Sequence, residues 1–179
     1  MEFPESPVFE YDNSDFYLDE KFGILGMGIS SRKFVRDCYI FKNGIIEDLP
    51  IGKIYGLTTG YQYKNDAARY YLSARAAFGN FYKWGFLSAN FELGSFFKNS
   101  KTEQTAFSFQ AHYFTNLCTI GRWKSRQFVK PQVVIGLNRV NAIGDLLTIN
   151  NSDGLQGFNS ASYRKEKTIL TLQTQEYAP

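Results

Sequence analysis

Two segments, Lys53-Ile54-Tyr55-Gly56-Leu57-Thr58-Thr59-Gly60-Tyr61-Gln62-Tyr63 and Ala68-Arg69-Tyr70-Tyr71-Leu72-Ser73-Ala74-Arg75-Ala76-Ala77-Phe78, change character at every residue. One set of positions holds Tyr55, Leu57, Thr59, Tyr61 and Tyr63, continued by Tyr70, Leu72, Ala74, Ala76 and Phe78. A period of two is the signature of β-strands, whose side chains point to opposite faces in turn. The other set carries Arg69, Tyr71, Ser73 and Arg75, and further on Ser88, Asn90 and Glu92. That face is too polar for a dry core. An apolar face on one side and a wet face on the other predicts strands of a transmembrane β-barrel.

Working outward, turn chemistry separates a series of such segments: about Phe22 to Ser31, Lys33 to Lys42, Lys53 to Tyr63, Ala68 to Phe78, Trp84 to Phe96, Thr105 to Thr115, Arg122 to Leu137 and Lys167 to Tyr177. Lys64-Asn65-Asp66, Gly79-Asn80 and Lys98-Asn99-Ser100 are short links, which imply antiparallel hairpins. The link from Asn43 to Pro50 is longer, and Pro131 inside a strand-like run predicts a bulge or an unpaired edge. The expected fold is therefore all-β, an antiparallel meander of about eight strands that is part of a transmembrane β-barrel or is itself a small one. No helix is predicted.

Composition bounds the rest. In 179 residues there are 17 Phe and 12 Tyr but only 2 Met and 5 Pro, and aromatic rings favour strands and membrane interfaces. The mean hydropathy is −0.31, and no run of about 18 apolar residues exists to cross a bilayer as a helix. The net charge of +3 is unevenly placed: residues 1–20 hold seven acids and no Lys or Arg, leaving 20 basic residues against 10 acidic ones in the remainder. Residues 1–21 thus read as an acidic linker or loop, and 22–179 as the barrel segment, with a long loop over 138–166. The beginning of the chain carries no basic and apolar leader, so we expect a piece of a longer exported protein.

The candidate chemistry is sparse. His112 is the only histidine, and Ser108 would lie on its strand face about 13 Å away, too far for proton transfer. No phosphate-binding glycine loop, paired-Cys zinc pattern or two-His motif is present, so neither an enzyme nor a cofactor or metal site is expected. Cys38 and Cys118 could form one disulfide or be two small buried apolar residues, and the second is preferred. Arg69, Arg75, Lys124, Arg126 and Lys130 recur at alternate spacing, so each set shares a face that in a barrel lines the lumen. There they would cradle a polypeptide or anion, or be bridged by Glu92, Glu103 and water. Most of these bases sit opposite the aromatic face, which argues against a nucleic-acid platform.

Finally, Asp153-Gly154-Leu155-Gln156-Gly157-Phe158, followed by the segment Thr168 to Pro179 with Gln175-Glu176-Tyr177, resembles a hairpin and following strand of the outer-membrane-protein assembly factor superfamily, also called bacterial surface antigens. Glu47-Asp48-Leu49-Pro50-Ile51-Gly52 is similar to a turn of such Gram-negative barrels. The resemblance implies a segment from the middle of a sixteen-stranded barrel whose parent inserts or translocates other polypeptides. It also implies partners: the lipid bilayer of the cell outer membrane, client polypeptides, and the remaining strands and periplasmic domains of the parent. Gly154, Gln156, Gly157 and Phe158 fall on the hairpin tip and Glu176 on the next strand. Gln156 stands where the family has Arg, and Gln lacks the charged fork that Arg offers a carboxylate. Two other readings remain open: a passive pore or structural barrel, and a soluble lipocalin-like binding module.

Overall fold

A computed structural model describes residues 19–64, 66–139, 147 and 166–177. The strands are β1 (Glu20–Cys38), β2 (Ile46–Lys64), β3 (Ala67–Tyr82), β4 (Gly85–Lys98), β5 (Lys101–Thr115), β6 (Cys118–Ile120), β7 (Trp123–Leu137) and β8 (Glu166–Tyr177). They form one antiparallel meander, a sheet that does not close on itself. The three-residue β6 pairs with the start of β7 on the edge that β5 occupies further along, so it continues the line of β5. The described residues contain no helix.

Left-handed residues make the turns. Lys98 pairs with Lys101 across Asn99 (φ 48°) and Ser100 (φ 61°), the backbone of a two-residue hairpin whose twist matches its strands. Lys64 pairs with Ala67, and Asp66 between them has φ 51°. These links, with Glu20, Leu137 and Glu166, mark one end of the sheet, the Asn99 end. The opposite, Trp84 end holds the Lys83-Trp84 link, the passage from β5 to β7, and Tyr177.

Several expectations are corrected. The two strands expected over Phe22 to Ser31 and Lys33 to Lys42 are one continuous strand, because Ser31 and Arg32 stay in register with Lys53 and Gly52. The link expected at Asn43 to Pro50 is mostly strand, β2 starting at Ile46. Pro131 makes neither a bulge nor a sheet edge. It pairs in register with Leu170, and the β5 ladder lapses opposite it, at Ala111 and His112, without a register shift. A missing N–H removes a ladder bond and need not displace the strand. Cys38 and Cys118 are both free thiols, and Cys118 is exposed rather than buried.

Beyond Gly52, β2 has lost β3 as a neighbour and pairs only with β1, so residues 33–38 and 46–51 project as a two-stranded arm with residues 39–45 at its tip. Gly52 has φ 145°, and a Cβ there would lie 1.8 Å from the carbonyl oxygen of Ser31, a position open to glycine alone. The strand turns over at this residue. Leu49 and Ile51 share the numbering parity of the exposed Tyr55 and Leu57, yet Leu49 is buried and Ile51 packs against a cluster of Ile40, Phe86, Phe114 and Phe128. That cluster, on the arm end of the sheet, is the core. Elsewhere the described sheet is a single layer, although a soluble domain ordinarily buries its apolar face against a second one.

Candidate functional site

The functional features are the two faces of this sheet. Register places Met27 beside Leu57, Leu57 beside Ala74, Ala74 beside Leu93, and Leu93 beside Phe107. The next row is Ile29, Tyr55, Ala76, Phe91, Phe109 and Val133. On β3, β4, β5 and β7 this face carries no Asp, Glu, Lys or Arg. It is also the open face: Met27 is 71% exposed and Leu57 56%. A shallow apolar depression of about 520 Å³ crosses it over Ala74 and Ala76.

Aromatic residues gather where the apolar belt stops. At the Trp84 end Tyr82 stacks on Trp84 (ring centroids 4.9 Å, planes 3° apart), Trp84 leans on Tyr113 at 5.2 Å, and Trp123 is exposed nearby. At the Asn99 end Tyr61 meets Tyr70 edge-on at 5.4 Å, beside exposed Tyr63. Tyr70 and Tyr82 are twelve residues apart on β3, about 40 Å along the strand at roughly 3.3 Å per residue. A strand tilted by about 40° would project that length onto roughly 30 Å, the thickness of a bilayer's hydrocarbon core.

The second face is polar and sheltered. Arg69, Arg75, Glu92 and Lys130, the residues assigned to the wet face from sequence, all lie on it. Arg75 pairs with Glu92 at 3.1 Å and donates to Asn90 at 2.9 Å; both partners are half exposed, so the pair is worth at most about 1 kcal/mol. Arg69 is held far more closely. It donates twice to Gln62 (2.6 and 3.0 Å), to Gln104 (2.8 Å) and to Glu103 (3.4 Å), and lies 4.6 Å from the centre of the Phe96 ring. Gln62, 4% exposed, in turn donates to Glu20. Gln104, at φ 47°, occupies a register shift in the β4–β5 ladder, and this bulge turns two consecutive acceptors onto one guanidinium. Phe22 lies over the Cβ-less Gly60, its ring 5.9 Å from Phe96 three strands away. A cavity of about 230 Å³ opens here, its lining mixed: Arg32, Arg75, Asn90 and His112 beside Ile51 and Phe78, among others.

At the Trp84 end the arm reaches over the sheltered face to the last strands. Arg126, 3% exposed, donates two 3.1 Å hydrogen bonds to Asp37 Oδ2 and one of 3.4 Å to the Cys38 carbonyl. Lys124 donates to the Tyr39 hydroxyl at 2.9 Å, its Nζ 4.0 Å from that ring's centre. The Tyr177 hydroxyl donates to the Ile40 carbonyl at 2.9 Å, Gln175 donates to the Phe41 carbonyl at 3.3 Å, and the Phe41 ring stacks on Phe128. Stripping either member of a buried ion pair costs about 3–5 kcal/mol; Asp37 retains some exposure, which favours the lower figure here.

Of the other sequence candidates, Gly154, Gln156, Gly157 and Phe158 lie outside the described residues. Glu176 is on β8 opposite Ser125, exposed and on the parity of Leu170 and Leu172, while its neighbours Gln175 and Tyr177 hold the arm. Sequence reasoning missed the clasp, since nothing in the local pattern joins residues 89 positions apart; the sole hint was Arg126 on the wet face. No protein-family model, curated protein or solved structure matches the chain.

Proposed function

We propose that this chain forms part of the wall of an outer-membrane β-barrel, its open face against lipid and its sheltered face toward water. The observation that carries the reading is the inverted polarity: the apolar side of a single-layer sheet is exposed while Gln62, Arg69 and Arg126 are covered. The aromatic spacing of a bilayer's thickness supports it. A lipocalin-like carrier would keep its apolar face inward, the opposite of what Met27, Leu57 and Leu72 do.

Strand parity sets the extent of such a barrel. Six antiparallel steps separate β1 from β8, so these edges run in the same direction, and joining them would create the sheet's single parallel seam. Bacterial outer-membrane barrels are antiparallel with an even strand count. An odd number of further strands therefore completes this one. With the resemblance around Gly154 to Phe158, we assign the barrel to the assembly or translocation type, acting on polypeptides without covalent chemistry.

Flotation tests the reading. Refolded with phosphatidylcholine vesicles, the chain should rise with them in a density gradient and resist extraction by urea, and in plain buffer it should aggregate through its open face. A soluble monomer in buffer that stays at the bottom of the gradient would refute it.

A further inference from the structure

The sheltered side of β7 and β8 presents, at every second position, Lys124, Arg126 and Phe128 beside Gln175 and Tyr177. We propose that these side chains form a binding seat for a peptide of the pattern acid, any residue, aromatic, apolar, aromatic that bends at its third residue, and that the arm's own Asp37-Cys38-Tyr39-Ile40-Phe41, with Tyr39 at φ 58°, occupies it in cis. The chemistry of the contacts defines that class. Arg126 takes the carboxylate through two hydrogen bonds, Lys124 takes the first aromatic through its face and hydroxyl, and Phe128 stacks on the second. Tyr177 and Gln175 hold the successive main-chain carbonyls of Ile40 and Phe41, which the bend beginning at Tyr39 brings to one side. Arg126 Nε is buried without a hydrogen-bond partner, so the seat has a donor that the cis segment leaves unused.

The occupant is held by these side-chain contacts and by Ile40 in the core cluster, with no strand pairing to the rest of the sheet. The arm pairs only with itself beyond Gly52, whose left-handed backbone is the point where it departs from the sheet. A segment tethered to its site competes at high effective concentration, so the site stays shut until a better or more abundant ligand displaces it. This inference rests on the geometry of β7, β8 and the arm and stands apart from the membrane reading.

The test uses a fluorescein-labelled peptide of residues Val35 to Asn43 carrying Cys38→Ser, titrated against the refolded chain in detergent micelles. A chain emptied of its cis ligand by Asp37→Ala, Tyr39→Ala and Phe41→Ala together should bind it saturably, about tenfold or more tighter than the wild type does. Adding Arg126→Gln to the emptied chain should cost about tenfold or more. Absence of binding to an emptied chain that keeps its β-sheet circular dichroism, or binding indifferent to Arg126→Gln, overturns the proposal. Should the emptied chain fail to fold, a spin label on Asn43→Cys, in a chain carrying only Cys38→Ser and Cys118→Ser besides, gives a second readout. Unlabelled peptide should mobilise the label in a dose-dependent way and a scrambled peptide should not; an unchanged spectrum at saturating peptide overturns the proposal equally.

Discussion

Ala76→Arg asks whether the open face meets lipid or water. Ala76 lies six residues from Tyr70 and six from Tyr82 on β3, about 20 Å of strand in each direction, or roughly 15 Å of depth at a tilt near 40°. It is thus the midpoint between the two aromatic clusters. Its neighbours in the row are Tyr55 and Phe91, with no acid on that face of β3 or β4 to pair with a guanidinium. Arginine at a bilayer's midplane costs about 2–4 kcal/mol, and near the interface only about 0–1. Asn80→Arg, on the same face but two residues from Tyr82, is the control. Urea unfolding of the chain in phosphatidylcholine vesicles should show Ala76→Arg losing about 3 kcal/mol, more than a hundredfold in the folding constant, with Asn80→Arg close to wild type. Equal costs at the two positions, or none at Ala76, would refute the claim that this face is in lipid, because a half-exposed alanine on a face in water tolerates arginine with little loss.

Gly52→Ala must move the Ser31 carbonyl or abandon φ 145°, and the arm should loosen by about 1–3 kcal/mol or more, read as faster amide exchange over residues 33–51 than over β4. Arg69→Ala leaves Gln62, Gln104 and Glu103 facing an empty space and should cost about 2–3 kcal/mol in urea unfolding, with Arg69→Lys recovering only part because Lys lacks the planar fork. Pro131→Val restores a donor opposite the lapse at Ala111 and His112; stability should stay within about 0.5 kcal/mol or rise, and a loss above about 1 kcal/mol would mean the lapse is needed. On the proposed assembly reading, deleting Asn151 to Ser160 should leave the sheet folded but abolish client assembly, and full assembly activity after the deletion would refute that reading.

The sheet was legible because its signal is local. Alternation in Tyr55 to Tyr63 and Tyr70 to Phe78 reports which residues share a face, and a strand keeps that parity over its length. That Glu92 can reach Arg75 follows from a shared face alone, whereas Glu103 reaches Arg69 only because of the register shift at Gln104. What escaped the pattern depends on single backbone events. The left-handed Gly52 reverses parity, so Leu49 and Ile51 turn inward with no change in their spacing. The bulge at Gln104 brings two neighbours to one side, and Ser31-Arg32 looks like a break but stays in register. The arm's clasp is tertiary in origin: Asp37 and Arg126 meet because a hairpin bends across the sheet, and that bend is written only in one glycine.

Both tryptophans of the chain, Trp84 and Trp123, are exposed at the same end of the sheet, Trp84 within the aromatic cluster there. Their fluorescence in vesicles of brominated phosphatidylcholines therefore tests most directly whether the open face is embedded. Embedded, they should be quenched strongly by bromine near the glycerol end of the acyl chain and weakly by bromine near the terminal methyl, as rings at an interface would be. Indifference to bromine at every depth, with the chain monomeric in plain buffer, would contradict the account.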